Sequence, residues 1–228
     1  MDSQKFGGDK KLPMKTLLAP YERKIIDSNL HRIPKWIEGY HLTLMTLPWS
    51  IGTIIFGYLA GRSNNLHWLW LSSLMLFLQW FTDCFDGALG RHRDTGIPKW
   101  GFYMDHFLDF VFSASIMIGY TFLLGPASRQ FVYLLIPVFG AFMVSSYLAF
   151  GATGEFKITY LGTGPTEMRI AFVILNTALI FFGTGWIEGL LPYILVLSVA
   201  FICVIIYRTQ KYIWCIDMQN KKDRQQSS

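Results

Sequence analysis

Six long apolar segments dominate the sequence and limit what the chain can fold into. A helix that crosses the bilayer core needs about 20 mostly apolar residues. Only 15% of the residues are charged, against roughly 25% in soluble domains, which argues against a soluble enzyme and against disorder. We therefore predict an all-α integral membrane protein with six transmembrane helices. The segments lie at about 43–60, 66–86, 101–124, 130–150, 167–185 and 189–207.

The sequence on either side of these segments is more polar. Pro20 and Pro34 bracket a stretch that could form an N-terminal interfacial helix, lying on the membrane surface, although a solvated tail is the alternative. Residues 1–41 contain no uninterrupted apolar run of the kind found in cleaved signal peptides. We expect three parts, and we expect disorder from Lys221 onward. The parts are a cytoplasmic or interfacial segment (1–41), a six-helix transmembrane domain (42–210) and a cytoplasmic tail (211–228).

The positive charges indicate how these helices cross the membrane. With six spans, all of the 20 Lys and Arg residues except Arg62 and Arg129 fall on the side that holds both termini. Basic residues near membrane spans are enriched on the cytoplasmic side. This side is therefore predicted to be cytoplasmic, and in a bacterium the membrane would be the inner one. The lipid bilayer accounts for the net charge of +5, so we expect no nucleic-acid partner.

Four acids stand out within the apolar segments. Asp83 and Asp86 are three residues apart, and Asp105 and Asp109 are four apart, so each pair shares one face of a helix. Acids inside membrane spans are costly and usually functional. A short connection makes the two helices antiparallel neighbours, so we expect the four carboxylates to meet near the cytoplasmic end of the bundle.

Such a cluster of like charges must be neutralised. Either some carboxylates are protonated or cations bind them, and ligands that are all oxygen favour Mg²⁺, Mn²⁺ or Ca²⁺. Carboxylate-bound Mg²⁺ with open positions suits a substrate pyrophosphate. Arg91 can donate two hydrogen bonds to a phosphate, and three nearby glycines leave room for a ligand: Gly87, Gly90 and Gly101. The alternative is a buried polar network that only fixes helix packing.

The segment from Asp83 to Asp109 resembles the signature of the CDP-alcohol phosphotransferase family. That signature is Asp-x2-Asp-Gly-x2-Ala-Arg-x8-Gly-x3-Asp-x3-Asp. This chain has Gly90 in place of the alanine and nine residues instead of eight between Arg91 and Gly101. The resemblance implies a six-helix bundle, often a homodimer, with a polar cavity open to the cytoplasm.

The resemblance also implies a role for each matching residue. Two metal ions, Mg²⁺ or Mn²⁺, would be bound by Asp83, Asp86, Asp105 and Asp109. The CDP part of the donor would be held by Gly87, Gly90, Arg91 and Gly101. Asp109 would be the base that activates the acceptor hydroxyl, with His106 as the competing candidate. The implied reaction is attack of an alcohol on a phosphorus of a CDP-linked donor, with release of CMP.

A second patch, at residues 155–167, bears on the substrate. It contains Leu-Gly-x-Gly-Pro-Thr-Glu, which is similar to a loop of choline and ethanolamine phosphotransferases, and these enzymes also carry Asp-His at the third acid. The resemblance predicts a CDP-aminoalcohol donor and a diacylglycerol acceptor. Glu155 and Glu167 would supply anions for the ammonium group, but the patch could equally be a loop and a helix start. Arg169 would either bind phosphate or extend to the membrane interface.

Three other functions remain open from the sequence. A related transferase would use CDP-diacylglycerol as donor and a small polar alcohol as acceptor. An intramembrane prenyltransferase also uses Asp-rich motifs and Mg²⁺, but its motifs are expected on separate halves of a longer chain. A divalent-cation channel would carry acids along a pore rather than at one end. The sequence does not decide which substrate carries the lipid.

Overall fold

The computed structural model describes residues 18–154 and 164–226 of the chain, and within these ranges it is all helical. Short 3₁₀ turns at Leu30–Arg32 and Leu66–Trp68 precede the second and fourth helices. The helices are α1 (Ala19–Asn29), α2 (Gly39–Leu44), α3 (Thr46–Ser63), α4 (Leu69–Arg93), α5 (Pro98–Thr121), α6 (Pro126–Thr153), α7 (Pro165–Phe182) and α8 (Gly185–Gln226).

Each of the six predicted apolar segments lies mainly within these helices, and the first is divided between α2 and α3. Four helical stretches in the described part of the chain are both long enough and apolar enough to cross a membrane. Helices α4 and α5 have 25 and 24 residues, but their acids lower their mean hydropathy, so the count of six spans is not confirmed. The four are Gly39–Ser63, Pro126–Thr153, Pro165–Phe182 and Gly185–Gln226.

The helix ends follow the turn chemistry of the sequence. Asn64 and Asp94 adopt left-handed backbone angles (φ 50° and 56°) and end α3 and α4. Asparagine and aspartate tolerate this conformation better than most residues. Proline occupies the first position of α5, α6 and α7, where its missing N–H breaks no helical hydrogen bond. These short turns reverse the chain between long helices.

Helix α3 is the centre of the first half of the fold, because both α4 and α5 pack against it. The α3–α5 contact is very close: a Cβ atom on Gly57 would lie 2.6 Å from the backbone of Gly119. The hydroxyl groups of Thr53 and Ser115 lie 2.8 Å apart at the same contact. On the other side of the fold, α6 packs against α5 and α8, and α7 packs against α4.

The predicted N-terminal helix is present as α1. Ile26, Leu30 and Ile33 pack against a buried cluster that includes Phe85 and Leu89 of α4. The guanidinium group of Arg93 donates to main-chain carbonyls between α1 and α2, including a 2.8 Å hydrogen bond to Ile33. The segment is therefore attached to α4, and its position at a membrane surface stays a prediction.

Helix α8 corrects the expected disorder of the C-terminal tail. It continues without a break from Gly185 to Gln226, 42 residues in all, or about 63 Å at 1.5 Å per residue. Residues 208–226 contain neither glycine nor proline, so nothing in the local sequence ends the helix. Most of this stretch is exposed, and it extends well beyond the length that a bilayer core requires.

Candidate active site

Three of the four predicted metal ligands meet in the structure. Carboxylate oxygens of Asp83 on α4 and of Asp105 and Asp109 on α5 all lie within 4.8 Å of one another. Each side chain is partly buried. The predicted direct packing of α4 on α5 is wrong, because both helices pack on α3 instead of on each other.

Asp86, the fourth predicted ligand, lies one helical turn further along α4 and is held by α2. Thr43 donates a 2.6 Å hydrogen bond to Asp86 Oδ2, and the main-chain N–H of Gly87 donates to Oδ1. Helix α2 can come this close because it begins with a glycine: a Cβ atom on Gly39 would lie 2.6 Å from the carbonyl oxygen of Asp86. Thr43 is a contact that the sequence analysis missed.

Arg169 of α7 reaches into the acid cluster. Its Nη2 atom lies 2.9 Å from Asp83 Oδ2 and 3.4 Å from Asp109 Oδ1, and the side chain is only 11% exposed. The alternative in which Arg169 extends to the membrane interface is therefore wrong. One guanidinium links α4, α5 and α7 and offsets part of the negative charge that the acids bring together.

Two further polar side chains fix the surroundings of Asp105 and Asp109. The amide of Gln79, fully buried on α4, donates to Asp109 Oδ1 at 3.4 Å. His106 lies with Nδ1 2.7 Å from the carbonyl oxygen of Phe102 and 3.5 Å from Asp105 Oδ2. Since a carbonyl only accepts, Nδ1 is the protonated ring nitrogen in this arrangement. Tyr147 of α6 donates to the His106 carbonyl at 3.2 Å.

The donor set fits a hard divalent cation. Every candidate ligand atom in the cluster is a carboxylate oxygen, which Mg²⁺ and Mn²⁺ prefer. Arg169 supplies a single positive charge beside three clustered acids, so further cations are needed if all three are to be ionised together. A network designed only for packing would balance its charges more closely, because unpaired buried charge is destabilising.

A large cavity begins at the acids and continues between α5, α6, α7 and α8. Its volume is about 690 Å³. Gly87, Arg91 and His106 line it at the acid end, and mostly apolar side chains line the remainder as far as Leu124. Asp109 and Tyr120, which both line the cavity from α5, are 11 positions apart, a distance of about 17 Å along the helix. The apolar lining includes Phe112, Ile116, Phe139, Phe142, Leu175, Leu191 and Ile202.

Several predicted binding residues do not line this cavity. Gly90 faces the loop after α4, where a Cβ atom would lie 3.1 Å from Gly96, and Gly101 has open space around it. Glu167 accepts hydrogen bonds from the main-chain N–H groups of Leu18 and Gly164, so it acts at the start of α7. Glu155 lies outside the described residues.

One acid in the cavity was missed by the sequence analysis. Glu22 of α1 lines the cavity and accepts a 2.6 Å hydrogen bond from the thiol of Cys84. Cys84 therefore lines the same cavity and holds Glu22. No local motif marks Glu22, because it reaches the site through the packing of α1 on α4.

The comparison with known protein families agrees with this geometry. The sequence pattern of the CDP-alcohol phosphatidyltransferase family matches residues 40–206, a stretch that contains every acid of the cluster and Arg169. No individual curated protein matches the chain by sequence. Members of this family are divalent-metal-dependent transferases, and the match favours such an enzyme over a prenyltransferase or a channel.

Proposed function

The chain belongs to the CDP-alcohol phosphatidyltransferase family, and we propose that it transfers an aminoalcohol phosphate from a CDP-linked donor to diacylglycerol. The products would be a phospholipid and CMP. The family supplies the reaction type, transfer of a phosphate-containing group from a CDP-alcohol to an alcohol acceptor. The identities of the aminoalcohol and the lipid acceptor are our proposal.

The observation that carries the lipid part of this proposal is the shape of the cavity. Charged groups occupy one end, and mostly apolar side chains from four helices line a continuous extension of about 17 Å, from Asp109 to Tyr120. A small polar alcohol would leave this apolar surface exposed to water. An acyl chain would bury it, at a gain of about 0.8 kcal/mol per CH₂ group.

The aminoalcohol part is supported by sequence. Asp105-His106 and the motif at residues 161–167 resemble choline and ethanolamine phosphotransferases. Residues 155–163 lie outside the described part of the chain, so the support from this loop is limited to its sequence. Gly164 and Pro165, which follow directly, line the cavity at the start of α7.

Asp83, Asp86, Asp105 and Asp109 would hold the divalent cations. When bound, such cations neutralise a pyrophosphate and stabilise the charge that develops on a departing phosphate. Arg91 lines the cavity beside Gly87 and can donate a pair of hydrogen bonds to the phosphates of the donor. Arg169, already directed at the acids, would provide a second positive charge for the same groups.

Asp109 is the proposed general base. Gln79 and Arg169 both donate to its Oδ1 atom, so the carboxylate is oriented from two other helices. As the acceptor oxygen attacks the phosphorus that carries the aminoalcohol, its proton passes to Asp109 and the bond to the CMP oxygen breaks. His106 also lines the cavity and is the competing base.

The same cavity suits a second reaction within the family. If the acyl chains belong to the donor, CDP-diacylglycerol would occupy the apolar extension and a small polar alcohol would enter at the acid end. The apolar part of the cavity indicates a lipid substrate, and it would fit a lipid donor as well as a lipid acceptor. The same observation therefore supports this alternative. The test below separates the two reactions.

We also propose that α4 and α5 span the membrane, giving six spans with both termini and the active site on the cytoplasmic side. The distribution of Lys and Arg supports this arrangement. Protease access to tags at each end in sealed vesicles tests whether the termini share one side: equal accessibility is expected, and opposite accessibility would exclude any even number of spans. The family resemblance further suggests a homodimer, to be tested by the mass of the purified protein in detergent.

The decisive experiment is a CMP-release assay with the purified full-length protein. The donors are CDP-choline, CDP-ethanolamine and CDP-diacylglycerol, each with Mg²⁺ and with diacylglycerol or soluble alcohols as acceptors. We expect CMP from a CDP-aminoalcohol only when diacylglycerol is added. Release only from CDP-diacylglycerol with a soluble alcohol would replace our proposal by the second reaction.

A further inference from the structure

Glu22 is a fifth acid in the cavity and has no role in the proposed chemistry. It belongs to α1, which lies outside the family match that begins at residue 40. Ile26, one helical turn later, lines the same cavity. One face of α1 therefore closes the cavity beside the acids, and this face is a feature of this chain rather than of the matched family segment.

The carboxylate of Glu22 is held in place but its charge is not balanced. The thiol of Cys84 on α4 donates to Oε1 at 2.6 Å, and the hydroxyl of Thr166 on α7 donates to Oε2 at 3.3 Å. Both donors are neutral. No lysine, arginine or histidine in the described part of the chain forms an ion pair with Glu22 within 4.0 Å.

The charge of Glu22 points to one class of ligand. It would repel the phosphates of a CDP-linked donor, and with a neutral alcohol it would form a hydrogen bond but no ion pair. An organic ammonium group complements its charge: a primary ammonium also donates hydrogen bonds to the carboxylate, and a quaternary ammonium is attracted by charge alone. Cys84, which contacts Glu22, lies between Asp83 and Asp86 in sequence, so the carboxylate is near the acids that would hold the donor phosphates.

We propose that Glu22 binds the ammonium group of an aminoalcohol substrate and so selects it over neutral alcohols. In an ethanolamine or choline phosphate the ammonium is only two carbons from the ester oxygen, which fits an anion beside the phosphate site. This inference rests on the proposed function. The ammonium could belong to the CDP-linked donor or to a small alcohol acceptor, and the same side chain would recognise both.

The test compares Glu22→Gln with Asp27→Asn in the purified full-length protein. Asp27 lies on the same helix but is exposed, so its variant controls for the loss of one negative charge from α1. Dissociation constants and kcat/KM are measured with Mg²⁺ for CDP-ethanolamine and for CDP-glycerol, which is neutral at the corresponding position. We expect Glu22→Gln to weaken the binding of CDP-ethanolamine and lower its kcat/KM roughly tenfold or more. The values for CDP-glycerol in this variant, and for both nucleotides in Asp27→Asn, should change little.

A third variant separates charge from helix attachment. Thr166→Val removes one hydrogen bond to Glu22 and keeps the carboxylate. If Thr166→Val reproduces the loss seen in Glu22→Gln, or if Glu22→Gln weakens both nucleotides equally, Glu22 only ties α1 to its neighbours and the inference is wrong. If the preference for the ammonium survives in Thr166→Val and disappears in Glu22→Gln, the inference stands.

Failure of the Glu22 inference can be distinguished from failure of the proposed function. If only CDP-diacylglycerol releases CMP, the donor assignment fails, and the comparison moves to acceptors: ethanolamine and serine against glycerol. A selective loss of the amine acceptors in Glu22→Gln would keep the inference with the ammonium on the acceptor. If the wild-type protein prefers no amine on either substrate, the inference is overturned.

Discussion

The N-terminal half of α5 carries Asp105 and Asp109 into the acidic end of the cavity, whereas one face of its C-terminal half packs against α3 with almost no space between the backbones. In the first half, like-charged side chains come together, and Arg169 offsets part of their charge. In the second half, Gly119 meets Gly57, and the hydroxyls of Thr53 and Ser115 meet beside them. One helix therefore combines a repulsive region with a tightly packed one.

The difference indicates how the acids are kept in position. Clustered carboxylates repel one another, so contacts elsewhere in the fold must hold the helices that carry them in position. Gly119 is ten residues from Asp109, about 15 Å along the helix, and its close contact with α3 limits movement of α5. Close packing of small residues is a common way to join helices in membranes.

The largest effect is expected from a change in the acidic half. Replacing Asp109 by Asn should lower turnover about 1,000-fold, because a general base typically contributes two to four orders of magnitude. The amide keeps the size of the side chain and can still accept from Gln79 and Arg169, so the protein should fold. Turnover, metal binding and donor binding are measured separately in the purified protein.

The matched variant is His106→Gln, which changes the competing base on the same helix. If Asp109→Asn loses turnover while metal and donor still bind, Asp109 is the base. If His106→Gln shows that pattern instead, and Asp109→Asn mainly weakens metal binding, the roles are reversed and Asp109 is only a ligand.

The next largest effect is a loss of stability, expected from a substitution at the close contact between α3 and the C-terminal half of α5. Gly57→Ala places a methyl group within 2.6 Å of the Gly119 backbone, and overpacking of this kind costs about 1–3 kcal/mol. The melting temperature of the full-length protein in detergent should fall. Gly151→Ala on α6 is the control, because nothing lies within 4 Å of its Cβ position. Equal melting temperatures for the two variants would show that the α3–α5 contact is not tight.

The smallest effect is expected from Ser115→Ala. The hydroxyl of Ser115 lies 2.8 Å from that of Thr53, and polar contacts between membrane helices average about 0.6 kcal/mol. We expect a slightly lower melting temperature and an unchanged KM for the donor, because the Ser115 hydroxyl faces α3 and lies six residues, or about 9 Å along the helix, from Asp109. A large loss of activity without loss of stability would mean that the α3–α5 contact contributes to turnover directly and not only through stability.

The sequence predicted the features that depend on spacing within one helix. Asp105 and Asp109 share a face because they are four residues apart, and six apolar segments became helices because of their length and composition. The contacts between elements were harder to predict. Thr43 reaches Asp86 because Gly39 allows a close approach, and Glu22 arrives through the packing of α1, which no local pattern records. The helical tail of α8 was missed because its polarity suggested disorder, although no residue breaks the helix.

The central claim is that the acids of α4 and α5 form a cation-dependent centre for CMP release, and metal removal tests it most directly. CMP release from the proposed donor, CDP-ethanolamine, is measured in the full-length protein with EDTA and again after excess Mg²⁺ or Mn²⁺ is added. We predict no turnover in EDTA, full recovery with either cation, and no recovery in Asp105→Asn, which loses a charged ligand. Full turnover in excess EDTA would contradict the account.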